Sequence, residues 1–259
     1  MTVSKRIILG VFAHPDDESM GPGGTFAKYA AAGHRVAFVT ATDGGAGRLF
    51  AERPHDNAGL REARRRETTE AAKILGLDFL GFLGWEDGKL ESSNILDIEI
   101  EIAKTIRREK PDVIVTFHGS GISHHADHRI IALAVQGAFL GAGRAGWYAA
   151  SDLETLPPHA PAKLYHYTLS LSLIASVEWP RKVYASPDDE ITTVIDTRDT
   201  ARVRWRAIQA HRTQQNGPPF KLLYDAGAFN EEYFVRVFPS WRRGEAREID
   251  LLEGLDPVQ

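Results

Sequence analysis

Residues 7–18 read Ile-Ile-Leu-Gly-Val-Phe-Ala-His-Pro-Asp-Asp-Glu. An unbroken apolar run of this length, with no polar alternation, is the pattern of a buried strand. His14, Asp16 and Asp17 follow directly, which places them just beyond the strand's C-terminal end. In open α/β sheets that edge is where ligands bind. A histidine and two carboxylates this close repel one another and lose hydration unless a cation or a proton lies among them. The chain carries a second cluster that could complete such a site, His124-His125-Ala126-Asp127-His128.

Outward from this run, strand and helix patterns alternate. Residues 20–33 suit a helix ending in glycine, and Val36 to Thr40 a second strand closed by Thr42-Asp43-Gly44-Gly45. A loop rich in Gly, Pro and Asn leads to a helix over Leu60 to Leu75, with Gly76 as C-cap. Phe79 to Leu83 reads as a strand. Ile95 to Arg108 reads as an amphipathic helix with Ile95, Ile98, Ile102 and Ile106 on its apolar face. Val113 to Phe117 is a β-branched strand, the histidine cluster comes just after it, and Ile130 to Leu140 follows as a helix. Strands separated by helices predict an α/β fold with a Rossmann-like, doubly wound, mostly parallel sheet. Both charged clusters then fall on one edge of it.

Gly141 to Pro161, rich in Gly and Pro, reads as an irregular, pocket-shaping loop. Beyond it come strands near Lys163–Ser170, Ile191–Asp196 and Phe234–Phe238, and a helix from about Thr197 to Ala210. The expectation is one domain over 1–259: a core with the metal site over 1–142, then a pocket-forming loop and C-terminal elaboration over 143–259.

Composition narrows the function classes. The 31 basic and 35 acidic residues give a net charge of −4, so there is no polyanion-binding footprint and nucleic acid is not an expected partner. The absence of cysteine removes disulfides, thiolate metal sites and a cysteine nucleophile. The first apolar run is too short to span a membrane, and no cleavage-type site follows it. A cytoplasmic protein is the simplest reading.

The clusters suit hydrolytic metal chemistry. His14 and Asp17, with Pro15 stiffening the turn between them, can each reach a zinc ion, and one nitrogen from the second cluster makes a three-ligand site with an open position for water. Asp16 is then free to take a proton from that water. Met20-Gly21-Pro22-Gly23-Gly24 is not a dinucleotide fingerprint, because the third glycine falls at Phe26. Glu18 reads as a structural hydrogen-bond or salt-bridge partner.

Taken with His125-x-Asp127-His128, the Ala-His-Pro-Asp-Asp-Glu run resembles the LmbE-like, or PIG-L, family of zinc-dependent N-acetylglucosamine deacetylases. Weaker echoes are Thr42 to Gly47, Arg64-x-x-Glu67 and Ala210-His211-Arg212-Thr213-Gln214. The resemblance implies that His14, Asp17 and His128 hold Zn2+ and that Asp16 is the general base. It further implies that protonated His125 stabilises the oxyanion or aids the leaving amine, that Asp127 orients His125, and that Arg64 contacts the sugar. Asp87 and His211 are further candidates for substrate binding, with Trp85, Trp147 and Tyr148 as possible pocket walls. Alanine stands at position 126 where the family usually has proline, which is expected to loosen the turn. Ser123 aligns where some members have tyrosine, and His124 is extra.

The function expected is removal of the acetyl group from a small N-acetylglucosamine-type sugar or glycoconjugate, in a chain that relatives suggest as a homo-oligomer. An amidase acting on a thiol conjugate or another N-acyl substrate would use the same metal site. A non-haem iron oxygenase also uses two histidines and a carboxylate, but His-x-x-Asp does not suit the usual His-x-Asp strand motif. A non-catalytic sugar- or nucleotide-binding module has no use for a spare Asp16.

Overall fold

Six residues of the opening run form β1 (Ile7–Phe12), and the rest of the sheet is built around it. In the computed structural model, residues 5–47, 57–149, 151–179, 182–214, 218–242 and 244–255 are described. Most of the Gly-, Pro- and Asn-rich loop before the third helix, 48–56, lies outside the described residues. The elements continue as α1 (Asp17–Met20), α2 (Gly23–Ala31), β2 (Arg35–Thr42), α3 (Asn57–Leu75), β3 (Asp78–Trp85), α4 (Ile95–Glu109), β4 (Val113–Phe117) and α5 (Ala126–Ala142). The C-terminal part adds β5 (Lys163–Thr168), α6 (Leu171–Ser176), β6 (Thr193–Asp196), α7 (Ala201–Ala210), α8 (Pro218–Asp225) and β7 (Glu231–Phe238).

The strand order is β3-β2-β1-β4-β5-β7-β6. The pairs from β3 through β5 are parallel; β7 is antiparallel to both β5 and β6. The order reverses between β1 and β4, and the crevice beyond their C-terminal ends is the switch point of a doubly wound sheet. Ile8, Leu9, Val11 and Phe12 are fully buried, as a strand covered on both faces demands. Gly10 has a packing reason. A Cβ there would stand 2.6 Å from the Phe12 ring and 2.9 Å from that of Phe26, so its absence lets α2 lie close on β1.

Several expected boundaries move, each for a local reason. The helix expected over 20–33 is broken at Gly21-Pro22. α2 restarts where Glu232 of β7 accepts the N–H groups of Gly24 and Thr25, both at 2.8 Å. On α4, Ile98, Ile102 and Ile106 are fully buried, but Ile95 in the first turn is 38% exposed. α5 begins four residues early. The His125 side chain caps it, and Ala126 takes the first helical position. Proline is tolerated there because its missing N–H is unused, so alanine leaves the turn intact rather than loosened. The helix expected from Thr197 starts at Ala201, because Thr197–Thr200 closes a turn first.

The Gly141–Pro161 segment is a further correction. Its described residues pack at the edge of the sheet opposite the strand-end clusters, so they do not shape the site. Arg107, near the C-terminal end of α4, is buried and donates to the carbonyls of Ala142, Arg144, Leu153 and Leu156 at 2.9–3.1 Å. His159 closes onto Pro111 O at 2.8 Å beside the start of β4. Tyr148 donates to Glu99, so neither it nor neighbouring Trp147 forms a wall of the site. Residues of the C-terminal part that do reach the site edge come from other segments, Tyr184 and His211 among them.

Arg107→Met should therefore cost about 3 kcal/mol or more, since four carbonyls lose one shared buried donor. Urea unfolding measures that loss. Metal content of the folded variant should stay at the wild-type level, because the strand-end clusters lie at the other edge.

Candidate metal centre

Loops after four parallel strands meet at the switch point. β1 delivers His14, Asp16 and Asp17; β2 delivers Gly44 and Ala46; β3 delivers Asp87 and Gly88; β4 delivers the His124–His128 cluster. His128 sits on the first turn of α5, with its ring stacked on Phe117 at 4.0 Å between centroids.

Partners on the far side of each ring fix the two imidazoles. The Nε2–H of His14 is shared between Asp127 Oδ2 at 3.1 Å and Asp87 Oδ1 at 3.0 Å. The Nδ1–H of His128 donates to Gly121 O at 3.0 Å. Each ring in its neutral form therefore keeps a lone pair on the near nitrogen. Those nitrogens, His14 Nδ1 and His128 Nε2, are 3.2 Å apart. The Asp17 carboxylate closes the triangle, with Oδ2 at 3.6 Å from His14 Nδ1 and Oδ1 at 3.4 Å from His128 Nε2. A tetrahedral ion with bonds of about 2.0–2.1 Å needs donors roughly 3.3–3.4 Å apart. The residues present therefore fit a zinc-sized ion. Two other groupings have ligand atoms close enough for a metal, His14-His125-His128 and His14-Asp87-Asp127. The second lies on the Nε2 side of His14, where Asp127 is already committed to the backbone N–H groups of Gly88 and Leu90 at 2.7 and 3.1 Å.

The electrostatics carry the signature of a cluster that wants a cation. Burial works against charge on His14, but hydrogen bonds to Asp127 and Asp87 and the nearby Asp17 outweigh it and raise its pKa to about 10. Burial raises Asp17 to about 7 against the pull of His14. Asp87, though buried, is held near 2 by its hydrogen bond to His14, and Asp127 is lowered for the same reason.

Side-chain exposure separates the five carboxylates. Asp16 keeps 22% of its surface, against 9% for Asp17, 8% for Asp87, 1% for Asp127 and none for Glu18. Burial raises the Asp16 pKa, with Arg64 and His211 opposing. Its backbone is at φ 98°, a left-handed conformation uncommon for a residue with a side chain.

The other expected contacts are rearranged. Asp127 does not orient His125. Its carboxylate holds His14, and only its backbone N–H meets His125, donating to Nδ1 at 3.2 Å. That bond leaves the proton of a neutral His125 on Nε2. Burial and the neighbouring His14 lower the His125 pKa, so the ring is a neutral donor rather than an imidazolium kept charged by Asp127. Arg64 is turned inward and buried, donating to Pro15 O at 2.6 Å and Gly44 O at 2.9 Å, with Asp16 Oδ2 at 3.6 Å. Gly44, at φ 74°, leaves room for it, since a Cβ there would stand 2.5 Å from the guanidinium. Asp87 spends its second oxygen on Ala46 N–H at 2.9 Å. His211 is buried against Glu18 at 2.7 Å. Arg64 and His211 thus brace the loop that bears Asp16, instead of lining an open sugar site. Sequence reasoning missed Asp87 and Asp127 as joint partners of His14. The only available signal was a carboxylate after β3, at a strand end facing the same edge.

Residues 9–139 match the family described as PIG-L, GlcNAc-PI de-N-acetylase. A 1D-myo-inositol 2-acetamido-2-deoxy-alpha-D-glucopyranoside deacetylase of Thermomonospora curvata is 33% identical, with 100% of both chains covered. Among solved structures, the N,N'-diacetylchitobiose deacetylase of Pyrococcus horikoshii superposes with a TM-score of 0.72 at 22% identity, covering 89% of this chain and 83% of that one. GalB, the 4-carboxy-2-hydroxymuconate hydratase of Pseudomonas putida KT2440, gives 0.68 at 22% identity, covering 93% and 100%. The shared fold therefore serves more than one reaction, and site chemistry has to discriminate.

Two outcomes follow from this geometry. Asp127→Asn should weaken metal binding roughly 10–100-fold by disturbing the far nitrogen of His14, read by titration against a chelator of known affinity. Stripped of metal, the protein should melt at lower temperature as pH rises. The folded pKa of His14, about 10, lies above its free value of 6.5, so the stability it contributes is complete below about 6.5 and lost as pH passes 10. Asp17, raised from 3.8 to about 7, shifts stability in the same direction between those values. A Tm that climbs with pH in the stripped protein would contradict both assignments.

Proposed function

The chain belongs to the PIG-L family, and from that premise we propose that it is a zinc-dependent hydrolase of N-acetylglucosamine-type conjugates, releasing acetate and a free amine. The family is one of deacetylases, and the named relative from Thermomonospora curvata acts on an inositol-linked sugar, which makes a small inositol-linked N-acetylglucosamine the first substrate to try. No helix among the described residues is long and apolar enough to cross a membrane. The observation that carries the reading is the donor triangle of His14, His128 and Asp17 beside one accessible carboxylate, Asp16.

His14, Asp17 and His128 would hold the zinc, which when bound would polarise the amide carbonyl and acidify water. Asp16, the accessible carboxylate, accepts the proton of the attacking water, and its raised pKa makes it a better base near neutrality than an ordinary carboxylate. Neutral His125, with Nδ1 occupied by the cap of α5, offers Nε2–H to the oxygen on which negative charge develops. Protonated Asp16 then gives its proton to the departing nitrogen as the C–N bond breaks. Asp127 and Asp87 hold His14 in register throughout, and Arg64 keeps Pro15 and Gly44 around the base.

Asp16→Asn should cut kcat by about 10²–10⁴-fold with zinc content unchanged, whereas His128→Ala should lose the metal. Acetate release, screened over free, inositol-linked, malate-linked and oligomeric N-acetylglucosamine, measures the activity itself. A metal-loaded protein that releases no acetate from any of them, or an Asp16→Asn variant with near-normal kcat, would overturn the assignment.

A further inference from the structure

The C-terminal part reaches back onto the opening motif at two buried points. His211, just after α7, places Nε2 2.7 Å from Glu18 Oε1, and both residues are almost wholly buried. Arg204, on α7 itself, donates to Ser19 O at 3.1 Å and Met20 O at 2.6 Å, the last carbonyls of α1, and pairs with Glu232 at 3.1 Å. Glu18 is the link to the chemistry. Its second oxygen, Oε2, accepts the backbone N–H of Asp16 at 3.1 Å, while Oε1 also takes the Ser19 hydroxyl at 2.6 Å.

That arrangement answers two oddities. Asp16 is held at φ 98°, a conformation that costs of order 1–3 kcal/mol and persists only where its surroundings over-determine it. His211 is buried with Nδ1 lacking any hydrogen-bond partner among the described residues, and an ion pair so placed is weak evidence for stability. A residue kept at such a cost needs another purpose. We propose that Glu18, His211 and Arg204 form a brace through which α7 holds the strained Asp16 backbone, making Glu18 and His211 positioning residues for the hydrolysis. The proposal rests on the assignment of Asp16 as the base. Glu18 touches no reacting atom, and its oxygens are spent on Asp16 N–H, Ser19 and His211.

The test varies reach and charge separately. Glu18→Asp keeps the charge but shortens the side chain by one methylene, so it cannot span both Asp16 N–H and His211. A misplacement of about 1 Å at the base should lower kcat about 10²-fold, with KM and zinc content near wild type. Glu18→Gln keeps the reach and an acceptor for Asp16 N–H, and its amide can meet a neutral His211, so it should recover most of kcat despite losing the charge. A purely structural pair would give the reverse order, with the charge-preserving aspartate the milder change and melting temperature, not kcat, taking the effect. His211→Gln, which retains a donor for Glu18, is the parallel variant should Glu18→Asp fail to fold. It should be close to wild type in kcat, with His211→Leu about 10²-fold down.

Hydrogen exchange reads the brace without turnover. The peptide over Pro15–Gly21 should lose protection in Glu18→Asp and keep it in Glu18→Gln, with α3 unchanged in both. A folded, zinc-loaded Glu18→Asp with kcat within threefold of wild type and unaltered exchange would overturn the brace. A wild-type protein that releases no acetate while the exchange result holds would instead remove the activity assignment and leave the brace standing.

Discussion

Two histidine nitrogens held 3.2 Å apart oppose their lone pairs unless a proton or a cation lies between them. Everything around His14 and His128 enforces that contact instead of relieving it. Asp127 and Asp87 hold the far side of one ring, Gly121 O the far side of the other, and Phe117 packs flat on the second. The fold therefore does its work on the remote nitrogens. The near ones are left facing each other and the Asp17 carboxylate. Asp87 follows β3, the other supports belong to β4 and the segment after it, and His14 follows β1, so the parallel sheet is what brings them to one point.

How much of this was legible depends on how local each feature is. The β1 run and the β-branched β4 announce themselves because burial on both faces removes polar residues from the sequence itself. The meeting of His14, Asp17 and His128 is legible because His14 and Asp17 lie within one turn and His128 within one short cluster. The pairing of supports is not local. That Asp127 serves His14 rather than His125 follows from the approach of the β3–α4 connection, whose Gly88 and Leu90 amides pull the carboxylate away. Arg64 shows the same limit. In a charge run it looks like a solvated helix face, and only the inward loops of Pro15 and Gly44 turn it into a brace.

Gly141–Pro161 misled for a related reason. Glycine and proline mark irregular backbone, but they do not say at which edge of the sheet it lies. The answer is held by Arg107, whose position in a helix of buried isoleucines gives no hint of four carbonyl partners. At the other end of the sheet, β7 slips between β5 and β6 in reverse direction and carries Glu232 to the start of α2, an insertion no periodicity reveals.

That last connection has a consequence for how the molecule comes into being. Gly24 and Glu232 are 208 residues apart, and Glu18 and His211 are separated by 193. A ribosome adding about 5–20 residues each second has made all three residues of the donor triangle by position 128, well before either partner. During synthesis there is thus an interval in which the His14, Asp17 and His128 donors have been made while Glu232 and His211, the partners of Gly24 and Glu18, have not. The order of the sequence makes the donor triangle first and the groups that hold the opening motif from the C-terminal part last.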